Sequence, residues 1–144
     1  MTANYIHWLR SKIGSRKTLL AYATALIRDD EGRLLFQRRS DFDWWGLPGG
    51  VLEIGESFAA CAQREALEET GYHVEPTRLI GLYCAPHWDV RYPNGDEVQQ
   101  FTVALECRIT GGQSLLCARG VTRAHFAVVR CHGARLGVQH HRAV

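Results

Sequence analysis

The chain predicts a mixed α/β domain, and three observations carry that prediction. Its 144 residues are 46% hydrophobic and 22% charged, an ordinary globular composition with enough apolar material for a core. Apolar runs of strand length stand on both sides of one alanine- and glutamate-rich stretch, Ser57–Thr70, whose composition and flanks are helical. Clusters of Gly, Pro, Asn and Asp punctuate the runs. The length is about that of one domain. Residues 1–144 are therefore expected to form a single unit, with 1–16 an N-terminal helical segment and 113–144 an atypical basic tail.

Taken in order, residues 4–14 carry Ile6, Leu9, Arg10 and Ile13 near helical spacing, with Asn4 placed to cap the helix and Gly14 to end it. Leu19–Ile27 and Leu34–Arg39 read as strands around the turn Asp30-Glu31-Gly32. Asp41–Gly50 reads as loop. Ser57–Thr70 is a helix with Ser57 as N-cap and Gly71 just past its end. Strands over Leu79–Arg91 and Val98–Ile109 flank the hairpin signal Pro93-Asn94-Gly95-Asp96. Beyond Gly111-Gly112, only Phe126–Arg130 looks strand-like.

Composition also excludes. A formal charge of +2 does not by itself imply nucleic acid or an anionic membrane. Five widely spaced cysteines with no CxxC pair argue for reduced thiols and a cytoplasmic setting. Lys12, Arg16 and Lys17 before Leu19–Ile27 mimic a secretory signal, but this nine-residue run is too short to span a bilayer and leads straight into a turn and a second strand. The charge is uneven along the chain. All 15 acidic residues lie in 1–106 against 11 basic ones, whereas 107–144 hold six Arg, four His and no acid.

The stretch with chemical content runs from Gly50 to Tyr72. On a helix, Arg64, Glu65, Glu68 and Glu69 fall within an arc of about 140°, with Ala59, Ala62 and Ala66 toward another side. Three carboxylates on one face repel unless a cation stands among them. Arg64 neutralises part of that charge through its i,i+4 relation to Glu68. The remainder suits a hard divalent cation, since Mg²⁺ takes oxygen ligands and keeps waters and substrate phosphates. The glycine pair before the helix allows a backbone carbonyl to approach the same place. A short Arg-Glu-Ala-Leu-Glu-Glu run taken alone is equally well a solvated helix face.

The wider spacing decides between these. Gly50, Glu56, Arg64, Glu65, Glu68, Glu69 and Gly71 match the Nudix box, Gly-x5-Glu-x7-Arg-Glu-U-x-Glu-Glu-x-Gly-U, with Ala66 and Tyr72 in the two hydrophobic (U) places. Trp45-Gly46-Leu47-Pro48-Gly49-Gly50 resembles the usual entry to that box, and the resemblance extends over about Leu20 to Gly112. The chain thus resembles the Nudix hydrolases. That resemblance implies an α/β/α sandwich with a mixed central sheet, and Mg²⁺- or Mn²⁺-dependent hydrolysis of a diphosphate linkage in a nucleoside diphosphate joined to another group. By position it implies Glu65 and Glu69 as principal metal ligands, with Glu68 and the Gly50 carbonyl completing the site. Arg64 and Glu56 would pair behind them and hold the helix face in register. The general base varies in the family; Glu68 and, from a loop, Glu97 are the two candidates.

Other residues are weaker substrate candidates: Arg38 and Arg39 for a phosphate, Trp44 and Trp45 for a base, and His87 and Trp88, with Tyr83 and Tyr92, as pocket lining. An ADP-ribose-like substrate is favoured. The alternatives are a house-cleaning nucleoside triphosphate pyrophosphohydrolase, then a dinucleoside polyphosphate hydrolase, and outside enzymes a ligand sensor on the same fold. Trp88, with Pro86 and Tyr92 on either side, matches neither signature that separates two of these classes. The expected partner is a small nucleotide, not nucleic acid or membrane. Cys117, Cys131, His132, His140 and His141 lack zinc spacing. The tail has no clean helical stripe, so it is not expected to form the family's terminal helix; an apolar face left under-covered would favour a homodimer.

Overall fold

The computed structural model describes residues 5–38 and 45–114, together with the backbone of Ala124–Ala127. Helix α1 (Tyr5–Ile13) is followed by strands β1 (Thr18–Arg28), β2 (Leu34–Arg38), β3 (Trp45–Gly46) and β4 (Gly49–Val51), then helix α2 (Phe58–Thr70). Strand β5 (Tyr72–Tyr83), a 3₁₀ turn (Pro86–Trp88), β6 (Val90–Arg91), β7 (Glu97–Gly112) and β8 (Ala124–Ala127) complete the order. All eight strands join one mixed sheet with the order β3-β2-β1-β7-β5, while β4 lies beside β1, β6 beside β7 and β8 beside β2.

The run that mimics a signal sequence is the central strand. β1 pairs in parallel with β7 along its whole length, from Thr18 opposite Val98 to Arg28 opposite Arg108. Its two faces are both covered, which explains its nearly continuous apolarity. Ala23, Ala25 and Ile27 face α2 and pack with Cys61, Ala62, Ala66, Val74 and Cys107. Leu20 and Tyr22 face the other way and receive Tyr5, Ile6 and Leu9 of α1, while Leu26 joins Leu34 and Ala104 further along that side. Helices on opposite faces of a mixed sheet make the expected sandwich.

Local chemistry sets the ends of the elements. Ser57 caps α2 by accepting from the Ala60 N–H at 3.1 Å, and Gly71 ends it in the left-handed region at φ 80°. Gly14 closes α1 the same way, and the Arg10 guanidinium ties the helix down through the carbonyls of Gly14, Arg16 and Glu97. Asn4, the expected cap, lies outside the described residues. The Asn94-Gly95 turn joins β6 to β7 as its sequence signals, with Asn94 Oδ1 accepting from the Asp96 N–H.

Three expectations change. The stretch Asp41–Gly50 is not all loop, since Trp45–Gly46 and Gly49–Val51 are short strands held to β2 and β1. The strand expected over Leu79–Arg91 instead starts at Tyr72 and stops at Tyr83, because the left-handed Gly71 turns the chain at once and Pro86 opens a 3₁₀ turn. β8 covers Ala124–Ala127, two residues before the expected strand, and residues 128–130 lie outside the described ones. The expectation about the tail's helix, and with it Arg39 and Trp44, falls outside them as well. Among the described residues no helix is long and apolar enough to cross a membrane.

Candidate active site

β2 pairs with β1 only at its start, where Leu34 faces Arg28, and then diverges. β4 enters beside β1 lower down, with Gly49 opposite Thr24 and Gly50 opposite Ala23. The approach is too close for side chains. A Cβ on Gly49 would strike the Ala23 carbonyl and the Thr24 backbone, and one on Gly50 would run into the Glu65 carboxylate. The two glycines thereby lay a backbone edge directly under α2.

On α2, Glu65 and Glu69 share the stripe that carries Cys61, one helical repeat apart, and point inward with the buried alanines. Arg64 and Glu68 flank that stripe on the open side. Arg64 collects the cluster. Its Nε and one terminal nitrogen grip the two oxygens of Glu56 at 2.8 and 2.9 Å. The other terminal nitrogen lies 2.6 Å from Glu65 Oε1 and 3.5 Å from Glu68 Oε2, and the nitrogen that holds Glu56 also donates to the Val51 carbonyl at 3.1 Å. Glu56 also accepts from the Glu53 N–H. The pairing of Arg64 with Glu56 is the one the sequence implies. Glu69 is held separately: its Oε2 accepts from the Gly49 N–H at 2.9 Å and from the Gln37 amide at 2.6 Å.

Electrostatics follow this wiring. The hydrogen bond from Arg64 holds the Glu56 carboxyl below its ordinary range, and Glu56, with Glu65, holds the guanidinium above its own. Burial pushes the Glu65 carboxyl up, with the Glu68 and Glu56 charges adding to it against the pull of Arg64. Burial also pushes the Cys61 thiol to about 12, so the group whose Sγ lies 3.6 Å from the Gly50 carbonyl stays a thiol.

Three of the expected residues are not brought to this cluster. Glu97 opens strand β7 rather than sitting in a loop, and Arg91 holds its carboxylate. It lies six residues down β7 from Val103, the partner of Ala23, or about 20 Å at strand rise. His87 and Trp88 occupy the 3₁₀ turn, where Trp88 packs on Tyr83 at 5.1 Å; Tyr83 belongs to the cluster on the sheet face away from α2. Arg38 and Trp45 are cross-strand partners at the exposed edge, one position from Gln37 and Gly46. Gln37 itself escapes sequence reasoning, because Gln-Arg-Arg at a strand end looks solvated; the only signal was its place two residues after Leu35, on the buried face.

The donors available to a cation are the Gly50 carbonyl and the carboxylates of Glu65, Glu69 and Glu68. All are oxygens, the set that suits Mg²⁺ or Mn²⁺ and not a soft metal. Among the described residues no three His, Cys, Asp or Glu side chains already converge as a ligand set. The fit rests instead on the missing Cβ of Gly50 and on the half-buried Glu65, whose charge stands beside those of Glu56 and Glu68 and which a cation would compensate.

A family model described as a NUDIX domain matches residues 18–128. The chain belongs to the Nudix hydrolase family. It is 36% identical over 93 residues to a Bacillus subtilis protein named "Putative 8-oxo-dGTP diphosphatase", covering 65% of this chain and 56% of that one. It is 35% identical over 68 residues to an ADP-ribose pyrophosphatase of Methanocaldococcus jannaschii, covering 46% and 40%. In three dimensions it resembles a UDP-X diphosphatase with a TM-score of 0.60 at 23% identity, over 84% of this chain and 56% of that one. The chain thus spans roughly half the length of the relatives it matches.

Proposed function

We propose that the protein hydrolyses a diphosphate linkage in a nucleoside diphosphate joined to another group, using a divalent cation held by Glu65, Glu69 and the Gly50 carbonyl, with Glu68 at the rim. The observation that carries this reading is the inward pair Glu65 and Glu69 on α2, facing a strand edge cleared by Gly49 and Gly50. A divalent cation held by these residues would supply positive charge against the diphosphate oxygens and a lower pKa for an attacking water.

The chain's own residues supply position and charge. Arg64 fixes the Glu56 and Glu65 carboxylates relative to Val51, so the donors keep one arrangement as substrate arrives. Glu68, more than half exposed at the edge of the cluster, is the group placed to accept a proton from water. Arg38 and Trp45 at the neighbouring sheet edge are the substrate contacts this geometry favours over His87 and Trp88.

An ADP-ribose-like substrate is the first reading. The relative named for 8-oxo-dGTP favours a second, a nucleoside triphosphate cut to monophosphate and diphosphate. A panel of sugar nucleotides and nucleoside triphosphates with Mg²⁺ and Mn²⁺ separates them by product. The first reading gives a nucleoside monophosphate plus the phosphorylated group; inorganic diphosphate as the main product refutes it. No turnover of any member of the panel refutes both.

A further inference from the structure

Gln37 is 3% exposed and, with Thr70, one of two buried polar side chains among the described residues. Its strand neighbour Leu35 faces α2 in the main core, and Gln37, two residues on, shares that face. An apolar side chain would fill such a place without cost, whereas a buried amide is costly unless it is hydrogen-bonded. Its Nε2 meets that demand on Glu69, donating to Oε2 at 2.6 Å. The Gly49 N–H donates to the same oxygen at 2.9 Å. Two donors, one from β2 and one from β4, therefore converge on a single oxygen of a carboxylate carried by α2. Such a pair fixes both the tilt and the rotation of the carboxyl plane.

We propose that Gln37 is a positioning residue of the cation site: its amide and the Gly49 N–H pin Oε2 of Glu69 and so orient that carboxylate toward a divalent cation beside Gly50 and Glu65. The inference rests on Glu65 and Glu69 being cation ligands. It differs from a purely structural tie between β2 and α2, which would lower stability and leave cation affinity alone.

The test is Mn²⁺ binding to the metal-free protein, followed by electron paramagnetic resonance, with melting measured in parallel. Gln37→Met keeps the length of the side chain and removes the donor. Gln37→Leu provides a second donor-free protein should the first fail to fold. The dissociation constant for Mn²⁺ is expected to rise about tenfold or more in the folded variant. Saturating Mg²⁺ is expected to restore most of its turnover. Unchanged Mn²⁺ affinity in a folded donor-free variant overturns the inference, whatever happens to melting. A wild-type protein that binds Mn²⁺ no better than Glu65→Gln overturns the cation-site reading itself, a distinguishable failure.

Discussion

Replacing Arg64 by lysine keeps the charge and removes the planar fork. In the structure that fork serves both oxygens of Glu56, Oε1 of Glu65 and the Val51 carbonyl at once. An ammonium on a flexible stem can hold either the Glu56 or the Glu65 carboxylate closely, not both together with the carbonyl. Charge-assisted hydrogen bonds contribute about 1.5–3 kcal/mol each, and about two are lost. Arg64 is 29% exposed, so solvent screening reduces the sum to about 2–3 kcal/mol. At this chain length that corresponds to a fall in Tm of roughly 5–10 °C. The Glu65 carboxylate also loses its orientation, so Mg²⁺ affinity falls with stability. Thermal melting and a Mg²⁺ titration of activity read the two effects. A variant that melts within about 1 °C of wild type and titrates identically would remove Arg64 from the account.

Gly50→Ala should lower cation affinity and Tm together, because the added Cβ occupies the place of the Glu65 carboxylate and overpacking costs about 1–3 kcal/mol; calorimetry with and without Mn²⁺ checks this. Native alkylation at pH 8 followed by peptide mapping should label Cys84, which is exposed, and spare Cys61 and Cys107, whose thiols burial pushes to about 12 and about 11. Arg78, then Arg28, holds the Glu106 carboxyl below its ordinary 4.5. A depressed acid stabilises above its unfolded value and loses that contribution as pH falls through the folded one. Glu106→Gln should therefore lower Tm at neutral pH and flatten the acid limb of Tm against pH; an unchanged limb would contradict the pairing.

Much of the site is legible in the sequence because it is local. Gly50, Glu56, Arg64, Glu65, Glu68 and Glu69 lie on one strand, one loop and one helix, and their spacing encodes the contacts made. Ser57 and Gly71 mark the helix ends through side-chain and backbone rules that need no tertiary information. What is not legible depends on distant partners. Trp45–Gly46 and Gly49–Val51 are strands only because β2 and β1 offer them hydrogen bonds. β5 carries Pro76 and a polar pattern, which an edge strand tolerates and a sequence reading takes for loop. Gln37 shows the same lesson in the site itself. Its neighbour Arg38 is exposed, and only the packing of α2 over β2 turns a polar strand residue into the partner of Glu69.

The central claim is that α2 carries the cation ligands of a diphosphate hydrolase. The most direct measurement is turnover of the best diphosphate substrate by Glu65→Gln and Glu69→Gln, each with Mn²⁺ affinity measured on the same sample. Each change keeps the shape of the side chain and removes its charge. The account predicts a loss of turnover of about 100-fold or more in both, with weakened Mn²⁺ binding and an intact fold. Near wild-type turnover and unchanged Mn²⁺ affinity in both variants would contradict it.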